Sequence, residues 1–277
     1  MKTRHILSFL MFVAASPASA VDFPFAVDLS KEAPSQAKSS IIGKGTGFLN
    51  IGMNYAGVVH NLEREGFKVK YATSPTEADI DLNGKRVHVA STRFKSSAGA
   101  VKTDDNGKEE ISVAFTSEVS QSTLYYINRT MYMKVPSKVD VVMAGLNEKY
   151  GTPTIPIGRR SFMYRYIWYY DVNGKVLPSE KYCKGFGDSV PNVIGNTHIS
   201  QRILKTTQNY LSQNCGGVVD AKFWVDGGNN DVSRIDLSVY DNSINTSGRE
   251  LDIDFLKAVV EYNPQLVEEA QPTKPKF

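Results

Sequence analysis

The first part of this sequence lacks an apolar run long enough to cross a membrane. Residues 6–15 form an apolar stretch of only ten residues, about half of the roughly 20 that span a bilayer. A basic start precedes the stretch and the small residues Ala18-Ser19-Ala20 follow it, as in a secretory signal peptide cleaved before Val21. No cysteine follows that site to carry a lipid. We therefore expect residues 1–20 to be removed and the mature chain to reach the periplasm, or to be secreted, without membrane insertion.

Cysteine is scarce, because Cys183 and Cys215 are the only two in the chain. In an oxidising compartment an even number of cysteines favours a disulfide. The bond would close a loop of about 33 residues and contribute roughly 3–4 kcal/mol in the chain-entropy model. The alternative is two separate buried thiols. His198 is the only histidine between them, too few ligands for a zinc site, so we expect no metal.

Neither sign of charge dominates the composition. Lysine and arginine number 32 and aspartate and glutamate 29, whereas nucleic acids and anionic membranes select a concentrated basic surface. The glycines at 43, 45 and 47 lack the spacing of a phosphate-binding loop. We expect no cofactor and no nucleic-acid partner.

Histidine is scarce too, and none follows His198. Residues 186–189, Phe-Gly-Asp-Ser, resemble the first block of the GDSL esterases, in which Ser189 would be the nucleophile. Those enzymes take their base from a histidine near the C-terminus, and a serine without a base is not activated. His60 falls on a predicted helix and His88 on a predicted hairpin strand, and neither is expected to converge with a carboxylate or cysteine nearby in the sequence. The main interpretation therefore has no catalytic residue, and a secreted serine esterase using Ser189 stays the alternative.

The apolar pattern predicts an α+β protein with two related modules of one helix and an antiparallel sheet. After an extended arm at 21–47, the first module spans 48–135. It begins with a helix that ends at Gly66, where a left-handed cap belongs, and continues in strands with period-two alternation and an Asn-Gly turn.

The second module, 136–262, repeats this order. Its helix begins at Pro136 and ends before Gly151, and an aromatic strand follows at 162–170. A loop tied by the disulfide, a third helix, a closing hairpin and a last helix at 251–262 complete it. The tail, 263–277, is expected to be mobile.

Two segments carry a family resemblance. Gly52-Met53-Asn54, with Leu62 and Gly66, resembles the opening of the SmpA/OmlA outer-membrane assembly lipoproteins and of modules like the beta-lactamase-inhibitor protein. Lys149-Tyr150-Gly151, followed by the strand with Trp168, resembles a second copy without a lipid anchor. The resemblance implies tandem helix-plus-sheet modules that act by binding proteins and not by catalysis.

The aromatic strand supplies the candidate binding residues. Alternation puts Tyr164, Tyr166 and Trp168 on one face and Arg165 and Tyr169 on the other. A central strand buried on both sides is one reading. A partly exposed recognition platform is the other, since Tyr, Trp and Arg dominate binding hot spots. On that reading Arg165 and Tyr169 are the exposed anchors.

Taken together, these patterns predict an exported, non-catalytic protein that binds another protein of the periplasm or envelope. An inhibitor or immunity protein and an accessory of envelope assembly fit equally well.

Overall fold

The computed structural model describes residues 21–23, 26–31, 35–82, 84–160, 162–186, 201–226 and 230–265. These residues form helices and mostly antiparallel sheet, so the predicted α+β class is confirmed. The expected signal peptide, Ser189, His198 and nearly all of the expected tail lie outside the described residues.

The strands and helices of the described chain follow one another in a simple order. The strands are β1 (Val21–Asp22), β2 (Gly45–Thr46), β3 (Leu49–Asn50), β4 (Lys68–Ser74), β5 (Glu77–Leu82), β6 (Lys85–Ala90), β7 (Phe94–Asp104), β8 (Gly107–Phe115), β9 (Leu124–Lys138), β10 (Ile155–Arg160), β11 (Met163–Tyr170), β12 (Gly217–Asp226) and β13 (Asp231–Asp241). The helices are α1 (Tyr55–Arg64), α2 (Val139–Tyr150), α3 (Gln201–Ser212) and α4 (Asn242–Tyr262).

One eight-stranded antiparallel sheet forms the centre of the molecule, in the order β10-β11-β12-β13-β9-β8-β7-β4. The strands before α2 make one half and those after it the other, and the last strands of the two halves, β9 and β13, pair with each other. A helix precedes each half, α1 before β4 and α2 before β10. The division into two related modules stays a prediction, because both halves share this one sheet.

The first face of the sheet is apolar and is covered by α1, α2 and residues 41–51. Successive strands contribute buried side chains such as Val113, Ile127, Val239 and Trp168, and α1 adds Val58 and Leu62. The spacing of those two helical residues puts both on one side of α1. Asn54 begins that helix by accepting a hydrogen bond of 2.9 Å from the Gly57 amide, as an N-cap does.

In the part of the chain that the structure describes, α4, α3 and the segment around Cys183 cover one end of the second face. The other side of α4 carries the small sheet β1-β6-β5 and a smaller core that includes Val87, Val89, Leu256 and Val260. One helix thus separates two cores. Over the rest of this face the central strands remain accessible.

The predicted starts of two helices in the second half, α2 and α4, were wrong. Pro136 does not begin α2, because β9 continues to Lys138 and its Ser137 pairs with Val232 of β13. The last helix begins nine residues earlier than expected, at Asn242, because the Asp241 carboxylate accepts a hydrogen bond of 2.9 Å from the Ile244 amide and caps it. Pairing with a distant strand decided the first boundary, and a local N-cap decided the second.

The predicted disulfide is confirmed. Cys183 and Cys215 are bonded, with their Cα atoms 5.9 Å apart, within the usual range for such a bond. It ties the segment after β11 to the beginning of β12.

Candidate functional site

The aromatic strand β11 divides its side chains between the two faces of the sheet. Trp168 lies on the covered face and is fully buried. Its indole nitrogen donates a hydrogen bond of 2.7 Å to the Gly151 carbonyl. Tyr164 and Tyr166 are half-buried on the same face and pack at the border of the core.

On the recognition-platform reading Tyr169 is an exposed anchor, and the structure contradicts that reading at this residue. Tyr169 is only 4 % exposed, although it lies on the face opposite Trp168. Its ring lies 6.3 Å from that of Tyr182 and 6.4 Å from that of Phe186, both on the segment that the disulfide holds over this end of the sheet. The strand is therefore buried on both sides at its C-terminal end, and Tyr169 has no surface to offer a partner.

Arg165 is on the same face as Tyr169 but belongs to an internal ion pair. Its guanidinium makes a two-point contact with Asp220 of β12, with hydrogen bonds of 3.0 Å and 2.8 Å. Lys222 Nζ lies 3.7 Å from the same carboxylate and keeps 38 % of its side chain exposed. Charge-assisted two-point contacts of this kind fix geometry strongly. Arg165 therefore orders the face, and Lys222 is its accessible cation.

A cluster of aromatic and cationic side chains lies on three neighbouring strands. Trp224 of β12, Arg234 of β13 and Tyr132 of β9 are opposite one another in the register and so share a face. The guanidinium of Arg234 lies 4.4 Å from the Trp224 ring centre and 5.2 Å from that of Tyr132. We call this set, with Lys222 and Asp236, the open face.

Asp236 fixes the guanidinium of Arg234 at the centre of the open face. Arg234 donates hydrogen bonds of 2.9 Å and 2.7 Å to its two carboxylate oxygens. These bonds raise the pKa of the guanidinium above its already high value. Arg234 nevertheless keeps 36 % of its side chain exposed, and Tyr132 is 37 % exposed. The open face is thus a rigid aromatic and cationic surface that solvent still reaches.

The open face was not predicted, because register cannot be read from one strand. Trp224, Arg234 and Tyr132 are separated by 10 to 102 residues and belong to strands with different patterns of alternation. The one available signal was that each stands two positions from a charged residue in its strand. Only the pairing of β9 with β13, two strands far apart in the chain, brings the three together.

A cavity of about 340 Å³ lies beside the open face, where α4 crosses the sheet. Gly99 of β7 and Ser112 of β8 stand at its exposed side, and Asp252 of α4 is buried within it. The Asp252 carboxylate accepts a hydrogen bond of 2.9 Å from Thr76 and another from Ser117. Burial raises the pKa of this carboxyl to about 6.

The described residues do not bring a catalytic serine and base together. His60 is exposed on α1. His88 does meet a carboxylate, contrary to expectation: its Nδ1 lies 3.0 Å from Asp79, directly across the β5–β6 hairpin. Burial opposes ionisation of Asp79, but hydrogen bonds from His88 and Arg86 outweigh it and lower the pKa. The contact is a cross-strand pair on the small sheet.

No protein-family model, curated protein or solved structure matches the chain. Within the described ranges, no cluster of three or more His, Cys, Asp or Glu could hold a metal ion. None of the helices seen there is long and apolar enough to cross a membrane.

Proposed function

We propose that this protein is a non-catalytic binder of another protein, exported to the periplasm, and that it docks through the open face. Its role is that of an inhibitor or immunity protein or of an accessory in envelope assembly. The observation that carries the proposal is the ladder in which Arg234 stands between Trp224 and Tyr132.

Composition and rigidity both favour a docking surface. Trp, Tyr and Arg are the residue types that dominate binding energy at protein interfaces. Here they project from central strands of an eight-stranded sheet, so little conformational entropy is lost when a partner orders them. The ion pairs of Arg234 and Arg165 already hold the cations in place.

Charge indicates an acidic partner. Lys68, Lys70 and Lys108 continue the same side of the sheet toward β4, and all three are exposed. With Lys222 and the two arginines they outnumber Glu110, Asp220 and Asp236 on this side, and no helix of the described residues covers them there. Complementary charge accelerates association, and added salt weakens this attraction.

Two observations support export. The disulfide is compatible with an oxidising compartment, since such bonds persist outside the cytosol. The basic, apolar and small-residue pattern of residues 1–20 is that of a signal peptide. The resemblance to the outer-membrane assembly and inhibitor modules favours the same compartment.

Affinity capture with paired variants tests the proposal. The mature chain is used as bait in an envelope extract, alongside Trp224→Ala, Tyr132→Ala and the control Val141→Ala. Val141 is 62 % exposed on α2, which covers the opposite face. We expect a partner that Val141→Ala retains and that each open-face variant binds at least about tenfold more weakly.

Two results would argue against the proposal. Equal retention by all three variants would mean that a partner docks elsewhere. Hydrolysis of a soluble ester by the wild-type chain, lost in Ser189→Ala with folding unchanged, would favour the esterase instead.

A further inference from the structure

The cavity beside α4 has the size and lining of a small-molecule site. Its volume of about 340 Å³ lies at the lower end of the roughly 300–1,000 Å³ that ligand pockets occupy. Gly99 and Ser112 face each other across β7 and β8 at its exposed side. A Cβ at Gly99 would meet no atom within 4 Å, so space is open above this glycine.

The charges within the cavity balance. Arg249 and Asp252 both line it, and the Arg249 charge acts favourably on the Asp252 carboxylate. Arg249 Nε also donates a hydrogen bond of 2.9 Å to Asn245 Oδ1. One cation and one anion leave no net charge to select an ionic ligand.

The rest of the lining suits hydroxyl groups. Ser97 and Ser112 add hydroxyls, which both donate and accept hydrogen bonds. Tyr126 and Phe115 add aromatic surface for apolar C–H groups. Hydroxyls and balanced charges around aromatic rings match a ligand that carries many hydroxyls on a saturated ring, as a sugar does.

We propose that this cavity binds one neutral sugar ring, either as a free monosaccharide or as a unit of a glycan. The site is independent of the proposed protein partner, because the ladder of Trp224, Arg234 and Tyr132 lies outside the cavity lining.

Titration of the mature chain tests the proposal. Amide shifts are followed by NMR as glucose, galactose or N-acetylglucosamine is added to millimolar concentration, with glucuronate and glucosamine as anionic and cationic counterparts that keep the ring. We expect saturable shifts in β7, β8 and α4 with at least one neutral sugar, and weaker binding of both charged analogues. A chitin oligosaccharide, added separately, distinguishes a glycan end from a free sugar by its tighter binding. No saturable shift with any neutral sugar, or preference for a charged analogue, would overturn the proposal.

Variants at the cavity mouth locate the site. Gly99→Trp should fill the opening and weaken sugar binding at least about tenfold. Thr103→Trp is the matched control, because it adds the same side chain to the same face of β7 outside the cavity, and it should bind as the wild type does. If Gly99→Trp does not fold, Ser112→Trp on the neighbouring strand serves the same purpose. Unchanged binding in a folded mouth variant would refute the location.

Discussion

Ile41 and Asp241 are joined directly although 200 residues separate them. The Ile41 amide donates a hydrogen bond of 2.9 Å to Asp241 Oδ2, and the Ser40 amide donates another of 3.0 Å to the same oxygen. The other oxygen, Oδ1, caps α4 through the Ile244 amide. One buried carboxylate therefore anchors the N-terminal segment to the end of the central sheet and to the helix that separates the two cores.

Asp241→Ala should therefore be one of the most damaging single substitutions. It removes a helix cap, worth about 1 kcal/mol, and leaves the buried amides of Ser40 and Ile41 without an acceptor, at about 1–3 kcal/mol each. We expect a loss of roughly 3–7 kcal/mol in the free energy of unfolding, measured by urea denaturation. The control is Asp140→Ala in the first turn of α2, an exposed position, which should change stability by less than about 0.5 kcal/mol. Similar losses in both variants would contradict this account of the anchor.

Two helical glycines should respond to alanine with opposite sign. A Cβ at Gly248 in α4 would lie 2.6 Å from Thr116 Cγ2 and 3.0 Å from its Cβ, so Gly248→Ala should cost about 1–3 kcal/mol through overpacking. A Cβ at Gly145 in α2 would meet nothing within 4 Å. Gly145→Ala should stabilise the protein by about 0.5–1 kcal/mol because alanine favours the helix. Thermal unfolding of both variants gives the comparison, and destabilisation by Gly145→Ala would show that α2 is packed more tightly than described.

Local patterns predicted the α+β class and the Cys183–Cys215 bond, because alternation, helical spacing and a single cysteine pair are properties of the chain itself. The sequence left the burial of Tyr169 open between two readings, since it depends on which segment the disulfide lays over the sheet. The start of α4 was missed because residues 242–248 are mostly polar, and their burial follows from the Asp241 cap and from packing against α3 and the main core. The open face was missed because the distant strands β9 and β13 have to pair before Arg234 meets Tyr132.

The buried Asp252 should make stability depend on pH in the direction opposite to most carboxylates. Its folded pKa of about 6 exceeds the value of about 3.9 for an unfolded aspartate. The folded state therefore holds the proton more tightly. The resulting stabilisation is fully present below about pH 4, is lost as the pH rises to about 6, and amounts to roughly 3 kcal/mol.

Comparison with Asp252→Asn isolates this contribution. Other groups act in the opposite direction, such as Asp79, whose pKa is lowered, so the measured quantity is the stability difference between the two proteins. That difference should shift in favour of the variant as the pH rises from about 4 to about 7. A pH-independent difference in urea denaturation would mean that Asp252 titrates as an ordinary aspartate.

Loss of the disulfide should weaken the packing of the segment around Phe186 against Tyr169. The bond spans a sequence separation of 32 residues, and opening it should cost roughly 3–4 kcal/mol in the chain-entropy model. We expect Cys183→Ser with Cys215→Ser to unfold at lower urea and to expose Tyr169 to chemical iodination, detected by peptide mass spectrometry. Thiol labelling of denatured, unreduced wild-type protein should find no free cysteine, and two labelled cysteines per chain would contradict the bond.

The two sides of β11 should prove equally important for stability. Trp168 is fully buried against Gly151 and Tyr150 on one face, and Tyr169 is buried under Phe186 on the other. Trp168→Ala and Tyr169→Ala should each cost about 3–5 kcal/mol, as large core deletions do. Phe162→Ala, just before the same strand and 62 % exposed, should change stability by less than about 0.5 kcal/mol. If Tyr169→Ala were as mild as Phe162→Ala, the cover around Phe186 would be open in solution, and Tyr169 would again be a candidate contact for a partner.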